Sequence, residues 1–464
     1  MKNLVTISIL LFFCAIPVVA QEGLDKVKAE IDSSVNEISD SYKGKFDSYF
    51  VQTDSTNDTA SEYRLSIKNP YWNKHLSRYS LYSFSPDNGI QRNQAFLFPW
   101  ESDADNFNMR YNRVEGLFLG WNYPQKYFWN TERFKFFGSF GYGFQSHLWR
   151  YGWGISTQFG FDEQLLEIGA ENHSVTDTKD QWIVSEDENT VAAMFTKNDY
   201  RDYFERKGFS LWTGLYHRDE NSDMQARVAF MNDDYASLEE ISRWSLFRKT
   251  KSFRENPTID DGKIKSLVTT LEYHSSDEGR YFSRGWSAAA SGEYSGNIFK
   301  KDDFNFNRYI LDVRRYQPLG NFLMLNFRVR AGTSTGVLPL QKSFDIGGIS
   351  TLPGFAYKAG SGNRMFLGNV EYIMNARIFD DEEIFPSWLL RNSNIILFFD
   401  AGYTAQVSPF EKFSEGFERM TFDTFRSDYG FAVGSRDGKL RLGFAWRTDI
   451  ATSPNVFLRL QRPF

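Results

Sequence analysis

The stretch that decides the fold is residues 344–355, which read Phe344-Asp345-Ile346-Gly347-Gly348-Ile349-Ser350-Thr351-Leu352-Pro353-Gly354-Phe355. It is rich in glycine. A segment in which apolar and polar side chains alternate lies on each side of it, residues 322–331 before and residues 364–378 after. Successive side chains of a β-strand point to opposite faces of the sheet. The pattern therefore predicts two strands joined by a long loop over residues 344–363.

The two faces of these predicted strands differ in chemistry. Arg328 and Arg330 alternate with apolar residues in the first strand, and Arg377 lies on the polar face of the second. An apolar face beside a charged face fits a transmembrane β-barrel, which has a lipid-facing exterior and a polar lumen. We expect the loop to fold back into that lumen with Gly354 at its tip, where glycine permits an unusual backbone conformation or a close approach.

Segments of about ten alternating residues recur from residue 107 to the C-terminus. Fifteen can be distinguished, of which the first is 107–122 and the last is 455–464. About nine to eleven residues suffice for a tilted strand to cross a bilayer. Single-chain bacterial barrels have an even number of strands, so we predict a sixteenth strand within 76–99. The expected fold is all-β, an antiparallel transmembrane barrel of sixteen strands over residues 76–464.

Loop lengths agree with that topology. If the C-terminus is periplasmic, the long connections face the outside and the short ones face the periplasm, as bacterial barrels require. The predicted outer connections are 173–207, 234–263, 334–363 and 406–426.

The N-terminal part of the chain has a different pattern. Residues 1–20 combine a lysine, a short apolar run and Val18-Val19-Ala20, which is typical of a secretory signal peptide. Residues 22–46 place apolar side chains at spacings of three and four, which predicts an amphipathic helix. We therefore expect residues 21–75 to form a periplasmic helical segment and a polar linker.

Composition and motifs exclude several function classes. Aromatic residues make up 17% of the chain, and formal net charge is −6, which fits aromatic girdles and not a basic nucleic-acid-binding surface. The sole cysteine, Cys14, lies inside the predicted signal peptide, so no disulfide is expected. No histidine stands in a recognisable catalytic or metal-ligating motif. We therefore expect no enzymatic activity, no metal site and no cofactor.

Two motifs resemble those of the bacterial surface antigen superfamily of outer-membrane barrels, which includes the barrel-assembly subunit and the two-partner secretion transporters. Gly354-Phe355 is similar to the end of an Arg-Gly-aromatic motif, and residues 398–402 are similar to an aromatic-x-Asp-x-Gly motif. In the family, the first motif lies at the tip of a loop that folds into the lumen after the eleventh of sixteen strands. The resemblance covers residues 107–464, and Pro353 stands where the family has arginine, which makes this chain a divergent member.

The resemblance also implies roles for particular residues. Asp400 corresponds to the aspartate that anchors the arginine of the infolded loop by an ion pair, and Pro353 removes that partner here. Either a different cation anchors the loop to Asp400, or Asp400 is simply paired with arginines of the lumen. The candidate cations are Arg328, Arg330, Arg377 and Lys358. The candidate residues of the loop itself are Gly347, Gly348, Leu352, Pro353, Gly354 and Phe355.

The function that the resemblance implies is the handling of polypeptides at the outer membrane, by assembling or translocating outer-membrane proteins. The expected partners are outer-membrane lipid, lipopolysaccharide and other outer-membrane or periplasmic proteins of an assembly complex. Two alternatives stay open: a diffusion channel for small solutes, and a plugged structural or partner-binding subunit of an outer-membrane complex.

The C-terminal segment generates a first prediction. Val456, Leu458, Leu460 and Phe464 share one face of the last strand, and a final aromatic residue resembles the signal by which barrels are recognised for insertion. We expect this strand to close the barrel, because an open edge in lipid leaves backbone groups unsatisfied. Deleting the last five residues should remove the heat-modifiable barrel from the outer membrane, as measured by gel shift and protease resistance. Normal levels of a folded truncated protein would contradict the assignment.

Overall fold

In the computed structural model of the chain, the described residues are 107–127, 134–161, 164–219, 222–247, 250–278, 283–296, 303–379, 391–436 and 440–460. The predicted signal peptide, the helical segment and linker, the predicted strand within 76–99, and Phe464 all lie outside these residues.

The described residues form one large antiparallel sheet, a small hairpin and a few helices. The sheet contains β1 (Phe107–Asn112), β2 (Gly116–Tyr127), β3 (Phe134–Gly143), β4 (Leu148–Phe161), β5 (Gln164–Asp177), β6 (Phe204–Asp219), β7 (Ser222–Ser237), β8 (Gly262–Glu278), β9 (Ser283–Ser295), β10 (Phe306–Leu319), β11 (Leu323–Gly336), β14 (Arg364–Met374), β15 (Ser393–Ala405), β16 (Arg426–Ser435), β17 (Leu440–Arg447) and β18 (Asn455–Leu460). The hairpin pairs β12 (Phe344–Ile346) with β13 (Gly360–Gly362). The helices are α1 (Glu186–Thr196) and three 3-10 turns, Leu340–Lys342, Ala376–Phe379 and Phe417–Arg419. Within the described ranges, no helix combines the length and apolarity needed to cross a membrane.

Each strand of the large sheet pairs with its neighbour in the chain, and β11 pairs with β14 across the loop that carries β12 and β13. The predicted antiparallel sheet of sixteen strands is therefore confirmed. The predicted strand 107–122 is wrong as a single strand, because β1 and β2 divide it. The side-chain oxygen of Asn112 accepts from the backbone amides of Val114 and Glu115 at 3.0 and 2.7 Å, and Gly116 follows with a φ of 68°. Such a local turn reverses the chain.

The alternation of side chains gives the sheet two distinct faces. On β11, Phe327 and Val329 are 39% and 41% exposed, whereas Arg328 and Arg330 are buried. Aromatic side chains such as Trp153 are also exposed on β2–β4. A continuous apolar surface of this extent is stable against lipid and not against water. The outer face therefore has the character of a lipid-facing surface.

The two ends of the strands differ in the length of their connections. The connections 178–203, 238–261, 337–363 and 406–425 all lie at one end, here called the long-loop end. The other end has short turns such as 320–322, except for the connection between β14 and β15. This asymmetry matches the one predicted from the sequence.

The edges of the sheet, β1 and β18, do not pair with each other among the described residues; β1 pairs with β2 and β18 pairs with β17. The predicted direct closure of the barrel is thus not what the described chain shows. Helix α1 touches both edges, because Thr190 accepts from the backbone of β1 and Glu188 accepts from that of β18. The sheet therefore curves until its two edges face one helix, and we call the gap between them the seam.

Candidate functional site

The centre of the site is the loop between β11 and β14, residues 337–363, here called the infolded loop. Gly347 and Gly348 begin its tight turn with φ values of 115° and 83°, a region that side chains disfavour. The backbone amide of Gly348 donates to the carbonyl of Leu352 at 2.9 Å, and the β12–β13 hairpin closes the base of the turn. The glycines predicted as candidates therefore shape this loop.

The infolded loop carries its own apolar core into the sheet. Leu352 and Ile346 are completely buried. The cluster that they belong to contains Trp182, Ile183, Ile310, Phe344, Ile346, Ile349, Leu352, Phe355, Met365 and Leu367. Its members come from the infolded loop, from the connection 178–203 and from the inner faces of β10 and β14. Burial of large apolar side chains contributes roughly 1.5–3 kcal/mol for each one, so this cluster holds the loop inside the sheet.

The aromatic-x-Asp-x-Gly motif of β15 forms the surface on which that apolar core packs. Asp400 and Gly402 both face inward, with Asp400 6% exposed. A Cβ atom on Gly402 would lie 2.8 Å from Cδ1 of Ile346 and 3.2 Å from Cδ1 of Leu352. These distances are too short for a side chain, so Gly402 leaves the space that the infolded loop fills.

Asp400 holds the infolded loop through a neighbouring amide. Asn369 on β14 donates from Nδ2 to Oδ1 of Asp400 at 2.7 Å and to the carbonyl of Thr351 at 3.1 Å. Asp400 therefore orients the side-chain amide of Asn369, which binds the backbone of the infolded loop. These two hydrogen bonds take the place of the ion pair that the resemblance implied.

The tip of the infolded loop, Pro353 to Phe355, contacts the last three strands. The amide of Gly354 donates to Oδ2 of Asp428 on β16 at 2.7 Å, and a Cβ atom at Gly354 would lie 2.8 Å from Cβ of Asp428. Glycine is therefore required for close approach. Asn455 on β18 donates to the carbonyl of Gly354 at 2.8 Å, and the guanidinium of Arg447 lies 4.4 Å from the ring centroid of Phe355.

The predicted lumen arginines have other partners than Asp400. Arg328 and Arg330 each lie 2.7 Å from Oδ2 of Asp312 on β10. Their guanidinium groups also stack on the ring of Trp182, at 5.1 and 4.1 Å from its centroid. They therefore fasten the connection 178–203.

Arg377 lies beyond the end of the strand to which the sequence assigned it. It belongs to the 3-10 turn Ala376–Phe379, and its amide donates to Oδ1 of Asn375 at 3.0 Å. The side chain of Asn375 thereby replaces the backbone carbonyl of a neighbouring strand as the acceptor for this amide, and the chain leaves the sheet after Met374. This position is at the short-turn end.

Lys358 is paired with acids of the loops. Its Nζ lies 2.9 Å from Asp180, 2.5 Å from Asp202 and 3.1 Å from Asp345. Lys179 lies 2.7 Å from Asp345, and Arg254 pairs with Asp202. We call these six residues the ion cluster. It joins three connections, 178–203, 238–261 and 337–363, so Lys358 binds loop to loop and not loop to Asp400.

Burial and charge act in opposite directions on the ion cluster. Burial alone would lower the pKa of Lys358, but the carboxylates of Asp180, Asp345 and Asp202 raise it well above the ordinary value of 10.5. Burial alone would raise the pKa of Asp202, but Lys358 and Arg254 lower it well below its ordinary value. Lys358 and Asp202 therefore both stay charged at neutral pH.

The connection 178–203 was not singled out as a site from the sequence, although it supplies Trp182, Asp180 and the whole of α1. One signal was present: Ser185-Glu186-Asp187-Glu188 has the Ser-x-x-Glu spacing of a helix N-terminus. Ser185 does cap α1, because its Oγ accepts from the amide of Glu188 at 3.2 Å. No group of three or more histidine, cysteine or acidic side chains able to hold a metal occurs among the described residues.

Comparisons with known proteins match the structure of this chain and not its sequence. No protein-family model and no curated protein matches the sequence. BamA from Haemophilus ducreyi lacking POTRA domains 1-3 is similar with a TM-score of 0.43 and 13% identity, over 76% of this chain and 68% of that chain. CdiB from Acinetobacter baumannii (TM-score 0.39) and CdiB from Escherichia coli (TM-score 0.36) are each 11% identical over 76% of this chain. This chain covers 58% and 60% of the two CdiB chains, less than two thirds of either.

The ion cluster generates a prediction. Replacing Lys358 with methionine keeps the length of the side chain and leaves three buried carboxylates without their shared cation. Removal of one partner from a buried ion pair costs about 3–5 kcal/mol, so the infolded loop should become sensitive to protease. Limited proteolysis with mass spectrometry measures the cleavage within 344–363. Lys263→Met is the matched control, because Lys263 forms an exposed pair with Asp234.

The ion pair between Lys358 and Asp202 has a defined dependence on pH. A raised lysine pKa stabilises the fold fully below 10.5 and loses this contribution as pH rises through the folded value; a lowered aspartate pKa stabilises above 3.8 and loses it as pH falls through the folded value. Lys358 and Asp202 should therefore contribute constant protection of the loop from about pH 5 to 10, whereas Asp180, whose pKa burial raises above 3.8, can change charge within that window. A midpoint near neutral pH that persists in the Asp180→Asn variant would contradict the ion cluster as the fastening.

Proposed function

We propose that this chain is an outer-membrane β-barrel protein that assembles or translocates polypeptides at the membrane. The observation that carries the proposal is the seam between β1 and β18. An unpaired strand edge is a template on which another extended chain can form backbone hydrogen bonds. In lipid such an edge needs a partner, because water cannot satisfy its amides there.

Two further features support this function. The apolar and aromatic outer face is suited to contact with outer-membrane lipid, and the long loops are suited to contact with lipopolysaccharide at the cell surface. The motifs around Gly354 and Asp400 resemble those of barrels that handle polypeptides. The proposed activity is binding and guiding of a polypeptide, in an assembly complex with other outer-membrane or periplasmic proteins. It involves no catalysis and no cofactor.

A second candidate function is a plugged structural or partner-binding subunit. The apolar core of the infolded loop favours it, because side chains fill the space that a solute would cross. The same observation argues against a diffusion channel, whose lumen must hold continuous water. The two candidates differ in what happens to other membrane proteins when this chain is removed.

Removal of the chain provides the test of the proposed function. In a depletion strain, quantitative proteomics of the outer membrane should show loss of other β-barrel proteins, and expression of the wild-type chain should restore them. Gly402→Val should fail to restore them, since its side chain would enter the space of Ile346 and Leu352. Gly368→Val is the matched control, because a Cβ there would lie 4.0 Å from the carbonyl oxygen of Ala401, an ordinary van der Waals contact. Unchanged levels of all other barrels after depletion would leave the structural subunit as the better account.

Conductance separates the plugged barrel from a channel. In planar bilayers the purified wild-type chain should show no stable open channel. Replacing residues 345–361 with a short Gly-Ser linker should produce a larger conductance, because that segment supplies four of the ten residues of the apolar core. A control in which the Gly-Ser replacement covers residues 420–423, of which Phe422 is fully exposed, should behave as the wild type. Stable conductance of the wild-type chain would support a diffusion channel instead.

A further inference from the structure

The seam is occupied by two side chains of α1, one for each strand edge. The backbone amide of Tyr111 on β1 donates to Oγ1 of Thr190 at 3.2 Å. The backbone amide of Leu460 on β18 donates to Oε1 of Glu188 at 3.0 Å. Residues two apart on a helix point to different sides. Glu188 and Thr190 therefore reach opposite edges, and each takes an amide that a pairing strand would take.

Charged contacts strengthen the attachment on both sides. Nε of Arg459 on β18 lies 2.8 Å from Oε1 of Glu188, and both side chains are almost fully buried. On the other edge, Arg110 of β1 lies 3.4 Å from Glu186. Buried guanidinium–carboxylate bonds are stronger than neutral hydrogen bonds. Contact with β18 through Glu188 is accordingly the stronger of the two.

The buried face of α1 is mainly polar. Its buried residues are Glu188, Asn189, Thr190 and Ala193. A helix of 11 residues is marginal by itself, since isolated helices need about 12–15 residues or more. Docking therefore holds α1 through hydrogen bonds that a strand could replace. In its second half, apolar contacts of Ala193 and Met194 with Tyr111 and Phe253, and of Phe195 with Phe247, add to this attachment.

Space and tethering are also suited to movement of α1. A polar cavity of about 110 Å³ lies beside the helix, and Arg110, Tyr111, Asn189 and Thr190 contribute to its walls. That volume admits several water molecules. On the N-terminal side of α1, Arg328 and Arg330 of β11 stack on the ring of Trp182. The helix can therefore leave the seam while the start of the connection 178–203 stays in place.

From this geometry we infer that α1 is a latch that occupies the strand-pairing site of the seam, so that an extended polypeptide pairs with β1 or β18 only when α1 is displaced. The inference rests on the proposed function, because it assigns a regulating element to the same seam. The ligand is any segment in extended conformation that offers backbone donors and acceptors to an edge strand.

The test uses the full chain in detergent and a fluorescent synthetic peptide covering residues 455–464 as the extended probe. The latch variant is Glu188→Gln with Thr190→Val, which weakens one charged and removes one neutral acceptor. It should bind the peptide roughly tenfold or more tightly than the wild type, since each weakened acceptor loosens the hold of α1 on one strand edge. Thr196→Val, which makes the same substitution in the last turn of α1, should bind as the wild type does.

A second pair of variants guards against misfolding. Glu188→Cys with Arg459→Cys places two thiols across the contact in a chain whose sole cysteine is Cys14. Before crosslinking this variant should bind the peptide tightly, and after reaction with a short bis-maleimide it should not bind. Glu188→Arg with Arg459→Glu restores an opposite-charge pair and should return binding toward the wild-type level.

The outcomes distinguish the latch from the proposed function. Equal binding of the peptide to the wild type, the latch variant and the crosslinked form would overturn the latch and leave the proposed function standing. Absence of binding to every form would also overturn the latch. Tight binding to the latch variant alone, combined with no change in other barrels after depletion, would uphold the latch and refute the role in assembly.

Discussion

Backbone hydrogen bonding is the constraint on which the rest of this structure depends. A strand that faces lipid on one side must satisfy its amides within the protein, and each strand between the two edges of the large sheet does so with two neighbours. The constraint is met differently at β1 and β18, where side chains of α1 accept the amides of Tyr111 and Leu460. A side-chain acceptor satisfies one amide, whereas a strand satisfies a row of them. The seam is therefore the part of the sheet where the fewest backbone hydrogen bonds must break before another strand can pair.

The same requirement explains why the infolded loop is held as it is. A loop inside a barrel brings its own amides and carbonyls away from bulk water, and each needs a partner. Asn369 serves the carbonyl of Thr351, and Asp428 serves the amide of Gly354. An arginine at position 353 would supply charge for an anchor, but proline at this position leaves the backbone itself to be bound. Close approach of the backbone to Asp428 then makes glycine at 354 a geometric necessity.

The sheet was predictable because its signal is local. Alternation over ten residues assigns Arg328 and Arg330 to the inside and Phe327 to the outside without any knowledge of their partners. The infolded loop could be placed by its motifs, and the amide of its Gly354 donates to Asp428 on β16. The ion-pair partners of single side chains were harder to predict, because Lys358 pairs with Asp180 and Asp202, which lie more than 150 residues earlier in the chain. The turn within 107–122 was missed because Asn112 and Gly116 interrupt the alternation for only three residues.

Lys358 and α1 belong to one mechanical unit, and this connects the infolded loop to the seam. The connection 178–203 begins at the ion cluster with Lys179 and Asp180, continues through Trp182 into α1, and returns to the ion cluster at Asp202. Both ends of the latch are thus fastened to the infolded loop, whose tip in turn binds Asn455 at the start of β18. A polypeptide that displaced the infolded loop would loosen both roots of α1 at once. Coupling of this kind requires two states of one packed element and not a continuous path of small shifts, and the segment from Lys179 to Asp202 is the element that can supply them.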